Sequence, residues 1–178
     1  SLRGGTQVVF AENNASTQWQ GVQADWFAIN DWKIAQGQGF DTPDYGGSTK
    51  PVILGETVRK TLFGDESGIG QSIRLGRVPF TVVGVLGGKG QGGFGQDQDD
   101  IVVVPLETAR RRLSTSQGMP PGAVQSIAVG VDDAKHLDAA QAEIEDLLRQ
   151  RHKIQPGADD DFAVRNISQI VATRTATT

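Results

Sequence analysis

Two segments, Pro79-Phe80-Thr81-Val82-Val83-Gly84-Val85-Leu86 and Ile101-Val102-Val103-Val104-Pro105, decide the fold of this chain. Both are short apolar runs rich in β-branched residues, which is typical of strands that are buried on both faces. The connector between them carries six glycines between Gly87 and Gly95. This pattern predicts two core strands joined by a long, exposed, glycine-rich loop.

The segments around this pair show the same short apolar runs, separated by turn residues. The helix predicted over 56–63 has Val58 and Leu62 on one face and ends at Gly64. Pro105 is suited to open the next short helix. The predicted strands cover 7–12, 17–22, 52–54, 72–75, 80–86 and 101–104, and the predicted helices cover 56–63 and 107–113, with a helical turn in 24–30.

The pattern changes after a Ser-, Gly- and Pro-rich stretch that we assign as a linker over 116–123. Ile127, Val129 and Val131 alternate with polar residues and predict a half-buried strand. Asp132-Asp133 can cap a helix over 134–151, and Phe162 with Val164 predicts another strand. The region 124–166 therefore looks like one β-α-β unit, which needs a partner to cover its sheet.

Composition excludes several classes of function. The chain has 178 residues, 17 basic and 21 acidic side chains and a net charge of −4, which argues against nucleic acid as a partner. It contains no cysteine, so disulfides, thiol catalysis and Cys-based zinc sites are excluded. No apolar run reaches the roughly 18 residues of a membrane span. Any attachment to a membrane would use spans outside this sequence.

The glycine-rich connector has superficial matches to three ligand sites. Gly84 to Gly90 has only three residues between its first two motif glycines and no hydroxyl residue after Lys89, so it is not a P-loop. Gly88, Gly90 and Gly93 fit a dinucleotide fingerprint, but a strand and not a helix follows. Asp97, Asp99 and Asp100 lack the register of a calcium loop, and we interpret them as a solvated acidic start of a strand.

Histidine chemistry is equally poorly supported by the sequence. His136 and His152 are the two histidines of the chain and lie about 24 Å apart on one predicted helix, so they cannot share a site. No nucleophile motif accompanies either of them. We therefore predict that the chain is not an enzyme, with no catalytic, cofactor-binding or metal-binding residues.

Several of these elements, taken in order, resemble the MacB-type periplasmic core domain of ABC transporter permeases, a family that also carries the FtsX-like permease segment. The resemblance covers 21–166 and rests on Gly55-Glu56-Thr57-Val58, Leu62-Phe63-Gly64-Asp65, Ile69-Gly70-Gln71-Ser72-Ile73, Pro79 to Leu86, Asp97-Gln98-Asp99-Asp100, Val103-Val104-Pro105 and Asp161-Phe162.

This resemblance implies an α+β fold with two parts. Residues 1–115 would form a β-rich, sabre-like subdomain, and 124–166 would form the second half of a mixed α/β, porter-like subdomain. Residues 167–178 would lead into a transmembrane helix. The first porter half would precede Ser1, which leaves the porter sheet without its partner in this sequence.

The resemblance also implies a function. The domain would be a non-catalytic, periplasmic part of an inner-membrane exporter, transmitting conformational change from ATP hydrolysis in a separate cytoplasmic domain. Its partners would be a second copy of the permease, a periplasmic adaptor and an outer-membrane duct. Lys89, Phe94, Gln96 and Asp97 are candidate partner contacts. The alternatives are a free-standing extracytoplasmic module that binds a ligand or a protein, and a small hydrolase.

Overall fold

The computed structural model describes residues 1–40, 50–92, 95–113 and 122–166. The strands in this part of the chain are β1 Leu2–Phe10, β2 Asn13–Val22, β3 Ile34–Gly37, β4 Pro51–Leu54, β5 Ser72–Leu75, β6 Val78–Leu86 and β7 Ile101–Pro105. The α-helices are α1 Asp25–Ile29, α2 Glu56–Phe63, α3 Leu106–Arg112 and α4 Leu137–His152. The fold is α+β, as predicted, and each element predicted before residue 114 is present within a few residues. Strand β3 was not predicted.

The seven strands form one sheet that closes on itself. Their order is β3-β6-β4-β7-β2-β1-β5, and β6 also pairs with β5. Because β6 joins β5 along its first half and β4 along its second half, six strands make a ring and β3 extends it along the end of β6. Closure leaves few unpaired strand edges, which protects a β-rich unit from association through its edges.

The sheet separates two hydrophobic clusters. The inner core lies inside the ring and is closed by apolar residues of α2 and α3; its members include Trp19, Phe80, Val82, Val102 and Val104. The outer core lies on the opposite face and includes Trp26, Phe27, Ile53, Val83 and Val103. Neighbouring valines of β6 and β7 thus enter different clusters, which explains why consecutive positions of these strands are apolar. The predicted burial of Val82, Val83, Val85, Val102 and Val104 is confirmed.

The chain divides into two compact units, Ser1–Ala128 and Val129–Thr178. Within the second unit, the Asp133 side chain accepts a hydrogen bond from the Lys135 backbone nitrogen at 2.9 Å, which confirms the predicted cap. A short 3₁₀ turn, Ala134–His136, leads into α4. Among the described residues, no helix is long and apolar enough to cross a bilayer.

Two strands predicted for the second half of the chain are not formed. The segments 127–131 and 162–164 have no strand structure, and Ile127 and Val129 are 70% and 55% exposed. Alternation of apolar residues indicates which face of a strand is buried, but a strand also requires a neighbour to receive its backbone hydrogen bonds. Neither segment pairs with a strand in the described part of the chain.

Candidate functional site

The predicted partner-contact residues belong to the glycine loop, residues 87–100, which connects β6 to β7. Asp99 holds the start of this loop in place. Its carboxylate accepts hydrogen bonds from the backbone nitrogens of Lys89 at 2.7 Å and Gly90 at 2.9 Å. Asp99 is only 7% exposed, so our interpretation of this residue as part of a solvated strand start was wrong. A carboxylate enters the fold here because two backbone donors satisfy it.

Lys89 contacts the segment that follows α1. Its ammonium group donates a hydrogen bond to the Asn30 carbonyl oxygen at 2.6 Å and lies 4.4 Å from the centre of the Trp32 ring. The Trp32 ring in turn stacks on Trp26, with 6.4 Å between ring centres. A cation over an indole face is attracted by the ring quadrupole. The charge of Lys89 is therefore already engaged within the domain.

Asp97 fixes the other end of the loop on α2. Its carboxylate accepts a hydrogen bond from the Thr57 hydroxyl at 2.6 Å and from the Asp99 backbone nitrogen at 2.9 Å. The hydrogen bond from Thr57, and then that from Asp99, hold the pKa of the Asp97 carboxyl below its ordinary value. Both bonds favour the ionised form.

The exposed part of the loop lies between these two attachments. Gln96 is exposed, and its carbonyl oxygen accepts a hydrogen bond from the Gly92 nitrogen at 2.8 Å. Gln91 and Asp97 form an isolated β-bridge across the loop. Phe94, the aromatic candidate, lies outside the described residues. The structure therefore brings Lys89, Gln96 and Asp97 into one loop that is attached at both ends.

This arrangement is unsuited to holding a phosphate. A phosphate cradle needs free backbone donors at a glycine-rich turn. The Lys89 and Gly90 nitrogens instead bind the Asp99 carboxylate, whose negative charge would also repel a phosphate. Within the described ranges, no cluster of three or more histidine, aspartate or glutamate side chains could hold a metal ion.

Sequence reasoning missed the residues that hold the loop. Thr57, Asn30 and Trp32 contact it from positions about 40 to 60 residues earlier in the chain. Gly55 was noted only as part of a motif, yet a Cβ atom there would lie 2.1 Å from the Asp99 carbonyl oxygen. No local pattern reports such contacts, because they depend on how α2 and α1 pack beside β7.

The histidines are placed apart, as predicted, and both contact acidic side chains. His152 lies 2.7 Å from an Asp161 carboxylate oxygen, and its ring meets Phe162 edge-on with 5.7 Å between centres. His136 lies 3.4 Å from Asp132. Arg149 forms an ion pair with Asp160. The contacts of His152 and Arg149 fasten the segment after α4 to the end of that helix.

Comparison with known proteins relates the chain to exporters. The MacB-like periplasmic core domain family matches residues 1–147. A macrolide export ATP-binding/permease protein, MacB, from Rhodospirillum rubrum is 40% identical over 156 residues, which are 87% of this chain and 22% of that protein. A pyoverdine export ATP-binding/permease protein, PvdT, from Pseudomonas entomophila is 31% identical over 94% of this chain and 25% of its own length. The chain thus spans about a quarter of these relatives.

Solved structures show the same fold. The periplasmic region of MacB from Actinobacillus actinomycetemcomitans superposes with a TM-score of 0.72 at 20% identity, covering 99% of this chain and 74% of that one. The extracellular domain of the ABC-type transporter YknZ from Gram-positive bacteria gives a TM-score of 0.66 at 18% identity, covering 93% and 78%. Together with the family match over most of its length, these results show that the chain belongs to the MacB-like periplasmic core domain family of ABC transporter permeases.

Proposed function

We propose that this domain transmits conformational change from ATP hydrolysis in a cytoplasmic domain and thereby drives export of a periplasmic substrate through an adaptor. The observation that carries the proposal is the closed ring of strands with its two buried clusters, in a chain of this family. A closely packed interior resists deformation and moves as one body. Such a body can pass displacement at one end to a contact at the other.

The proposal assigns parts of the chain to separate tasks. Residues 1–115 act as the sabre-like part and 124–166 as the second half of the porter-like part. Two copies of the permease move together and apart during the ATP cycle. The glycine loop supplies the contact with an adaptor or the opposite copy, because it is attached at Lys89 and Asp97 while Gln91 and Gln96 between these positions are exposed.

An export assay on the complete permease tests the loop contact. We expect Phe94→Ala to lower export and adaptor binding while ATP hydrolysis by the cytoplasmic domain continues. Phe40→Ala, in the outer core of the same domain, is the control for general loss of stability. Unchanged export and adaptor binding in Phe94→Ala would remove the loop from the mechanism.

A further inference from the structure

Part of the β1 edge has no neighbouring strand, although the sheet closes into a ring. On one side β1 pairs with β2 along its whole length, whereas on the other side it pairs with β5 at Val8 and Val9. Near its start, the Arg3 backbone nitrogen donates a hydrogen bond to the Gln125 side-chain oxygen at 2.8 Å. An edge gap therefore remains along β1 between Gln125 and β5.

The backbone of β1 directs hydrogen-bonding groups into this edge gap. Residues of an antiparallel strand bond alternately to the neighbour on one side and on the other. The Arg3 nitrogen bonds to Gln125 and the Gln7 carbonyl oxygen accepts from the Gly76 nitrogen, so the odd-numbered residues face away from β2. The Arg3 carbonyl, both backbone groups of Gly5 and the Gln7 nitrogen thus point into the gap. Among the described residues they have no hydrogen-bonding partner.

These backbone groups are accessible. Arg3, Gly5 and Gln7 are exposed, and a Cβ atom at Gly5 would have no neighbour within 4 Å. An open depression of about 610 Å³ covers this stretch and is lined by Arg3, Gly4, Gly5, Gln18 and Gln125. Glycine within a strand often marks a place where another backbone approaches closely. The edge gap is therefore suited to receive a further segment of extended chain.

The flanks of the edge gap limit what can enter it. From Arg3 to Gln7 the strand spans about 13 Å, at about 3.3 Å per residue. Gln125 closes one end, and the turn at Gly76 closes the other. A strand that belongs to a second folded domain would meet these flanks, whereas a flexible peptide can pair over about three residues and turn outward at both ends. Addition of a peptide to a sheet edge is a common mode of recognition.

The hairpins beside the edge gap carry mainly positive charge. Arg3 stands at one end, and Arg77 belongs to the turn at the other end. Both residues are exposed and have no ion-pair partner in the described ranges. Residues 72–86 contain no acidic side chain, and Glu12, in the distant β1–β2 turn, is the one acidic residue of 2–22. Acidic side chains on an entering peptide would therefore complement this site.

We propose that the β1 edge binds an extended acidic peptide segment of a partner protein. The peptide backbone pairs with Arg3, Gly5 and Gln7, and its carboxylates lie toward Arg3 and Arg77. The proposal does not rest on the function proposed above, because a free-standing module with this edge would accept the same peptide.

A synthetic peptide, acetyl-Gly-Ser-Glu-Val-Thr-Val-Glu-Ser-Gly-amide, tests the proposal by calorimetric titration of the 178-residue chain. An analogue with N-methyl groups on both valines and on the threonine keeps every side chain but loses backbone donors on both edges. It should bind at least about tenfold more weakly. Replacement of each glutamate by lysine should weaken binding by about two- to fivefold per residue, the effect of one exposed ion pair.

Amide hydrogen exchange locates the bound peptide on the chain. In the free chain the Gly5 and Gln7 amides should exchange rapidly, because they point into the edge gap. A saturating concentration of the acidic peptide should slow both amides. Rapid exchange at Gly5 and Gln7 that persists with bound peptide would place the peptide elsewhere and overturn the proposal.

Variants of the chain separate backbone pairing from charge. Gly5→Pro removes a donor and places a ring in the edge gap, and proline is tolerated on strand edges that face solvent. It should weaken the acidic peptide by about tenfold, and Gly5→Ala, which keeps the donor, should weaken it less. Arg3→Gln should weaken binding about two- to fivefold. Arg151→Gln, which changes an exposed arginine of α4, is the matched control and should have no effect.

Three results would overturn the proposal without depending on the folding of any variant. The first is no binding of the acidic peptide at millimolar concentration. The second is equal affinity for the acidic peptide and its N-methylated analogue. The third is dimerisation of the free chain with slow exchange at Gly5, which would assign the edge to a second copy.

Discussion

The Asp99 carboxylate lies 2.7 Å from the backbone nitrogen of Lys89. A side chain of the protein itself therefore accepts the hydrogen bond that a phosphate would need from this glycine-rich loop. Loss of this contact would remove two part-buried hydrogen bonds to a carboxylate, and a hydrogen bond to a charged group contributes about 1.5–3 kcal/mol. We therefore expect Asp99→Ala to lower the free energy of unfolding by about that amount. Asp99→Asn, which keeps one oxygen acceptor, should lower it less.

Urea unfolding and amide hydrogen exchange check this prediction together. In Asp99→Ala the amides of Lys89 and Gly90 should exchange faster. Amides of the distant β1–β2 pairing should lose only the protection that follows from the lower free energy of global unfolding. Undiminished protection at Lys89 and Gly90 would show that Asp99 does not hold the loop.

Asp97 should titrate at a lower pH in the folded chain than in the unfolded one. Because its folded pKa is lowered, its contribution to stability is present above the ordinary value near 3.8 and is lost as the pH falls through the folded pKa. Thr57→Val removes the hydroxyl donor and should raise the pKa of Asp97 toward its ordinary value. The hydrogen bond from the Asp99 backbone nitrogen to Asp97 remains, so the pKa of Asp97 should not reach its ordinary value.

Carbon-detected NMR of the Asp97 carboxyl group measures this change. Thr61→Val is a suitable control, because its hydroxyl bonds to the Thr57 carbonyl oxygen and not to Asp97. An Asp97 titration that is the same in wild type and Thr57→Val would contradict the assigned hydrogen bond.

Gly21 permits the close approach of β2 and α3. A Cβ atom at this position would lie 2.4 Å from the Ala109 Cβ atom. Gly21→Ala should therefore destabilise the chain by about 1–3 kcal/mol, the usual cost of overpacking. Combining it with Ala109→Gly should recover part of that loss.

Gly5 provides the control on the neighbouring strand. A Cβ atom there has no neighbour within 4 Å, so Gly5→Ala should leave stability almost unchanged. Thermal unfolding of the four variants (Gly21→Ala, Ala109→Gly, their combination and Gly5→Ala) would reveal the difference. Equal effects of Gly21→Ala and Gly5→Ala would indicate that the helix–strand contact is looser than described.

Local patterns were sufficient for most of the β-rich unit. Burial of β6 and β7 can be predicted from their apolar runs, and burial of one face of α2 from the spacing of Val58 and Leu62. The structure confirms both predictions. Closure of the sheet depends on β6 pairing with three strands, and β2 pairs in parallel with the distant β7. Such long-range pairings have no signature in a single sequence.

The predictions that were wrong share one physical reason. The alternation at 127–131 suits a strand, but backbone pairing depends on a neighbour that the local sequence does not specify. Asp99 was likewise judged by its acidic neighbours, although two backbone donors from the loop make its burial favourable. In both cases the structure depends on a hydrogen-bonding partner that the local sequence does not reveal. For 127–131 the partner would be a neighbouring strand, and for Asp99 it is the backbone of the loop.

Spin-label distances in the complete permease test whether this domain moves as a rigid body during the ATP cycle. This chain contains no cysteine, so a cysteine introduced at the exposed Gln36 of β3 gives a single label in each copy of the domain. A second pair of labels within one copy, at Gln36 and at Arg77 in the β5–β6 turn, reports on the shape of the ring. Monomers that carry both labels are diluted with unlabelled protein for that measurement.

We predict that the distance between the Gln36 labels of two copies differs between the nucleotide-free state and a state trapped with ATP, while the distance from Gln36 to Arg77 stays the same. A free-standing binding role for the domain predicts no dependence on ATP. Identical distances between copies in the two states would contradict transmission by this domain, and a changed distance within one copy would contradict movement as a rigid body.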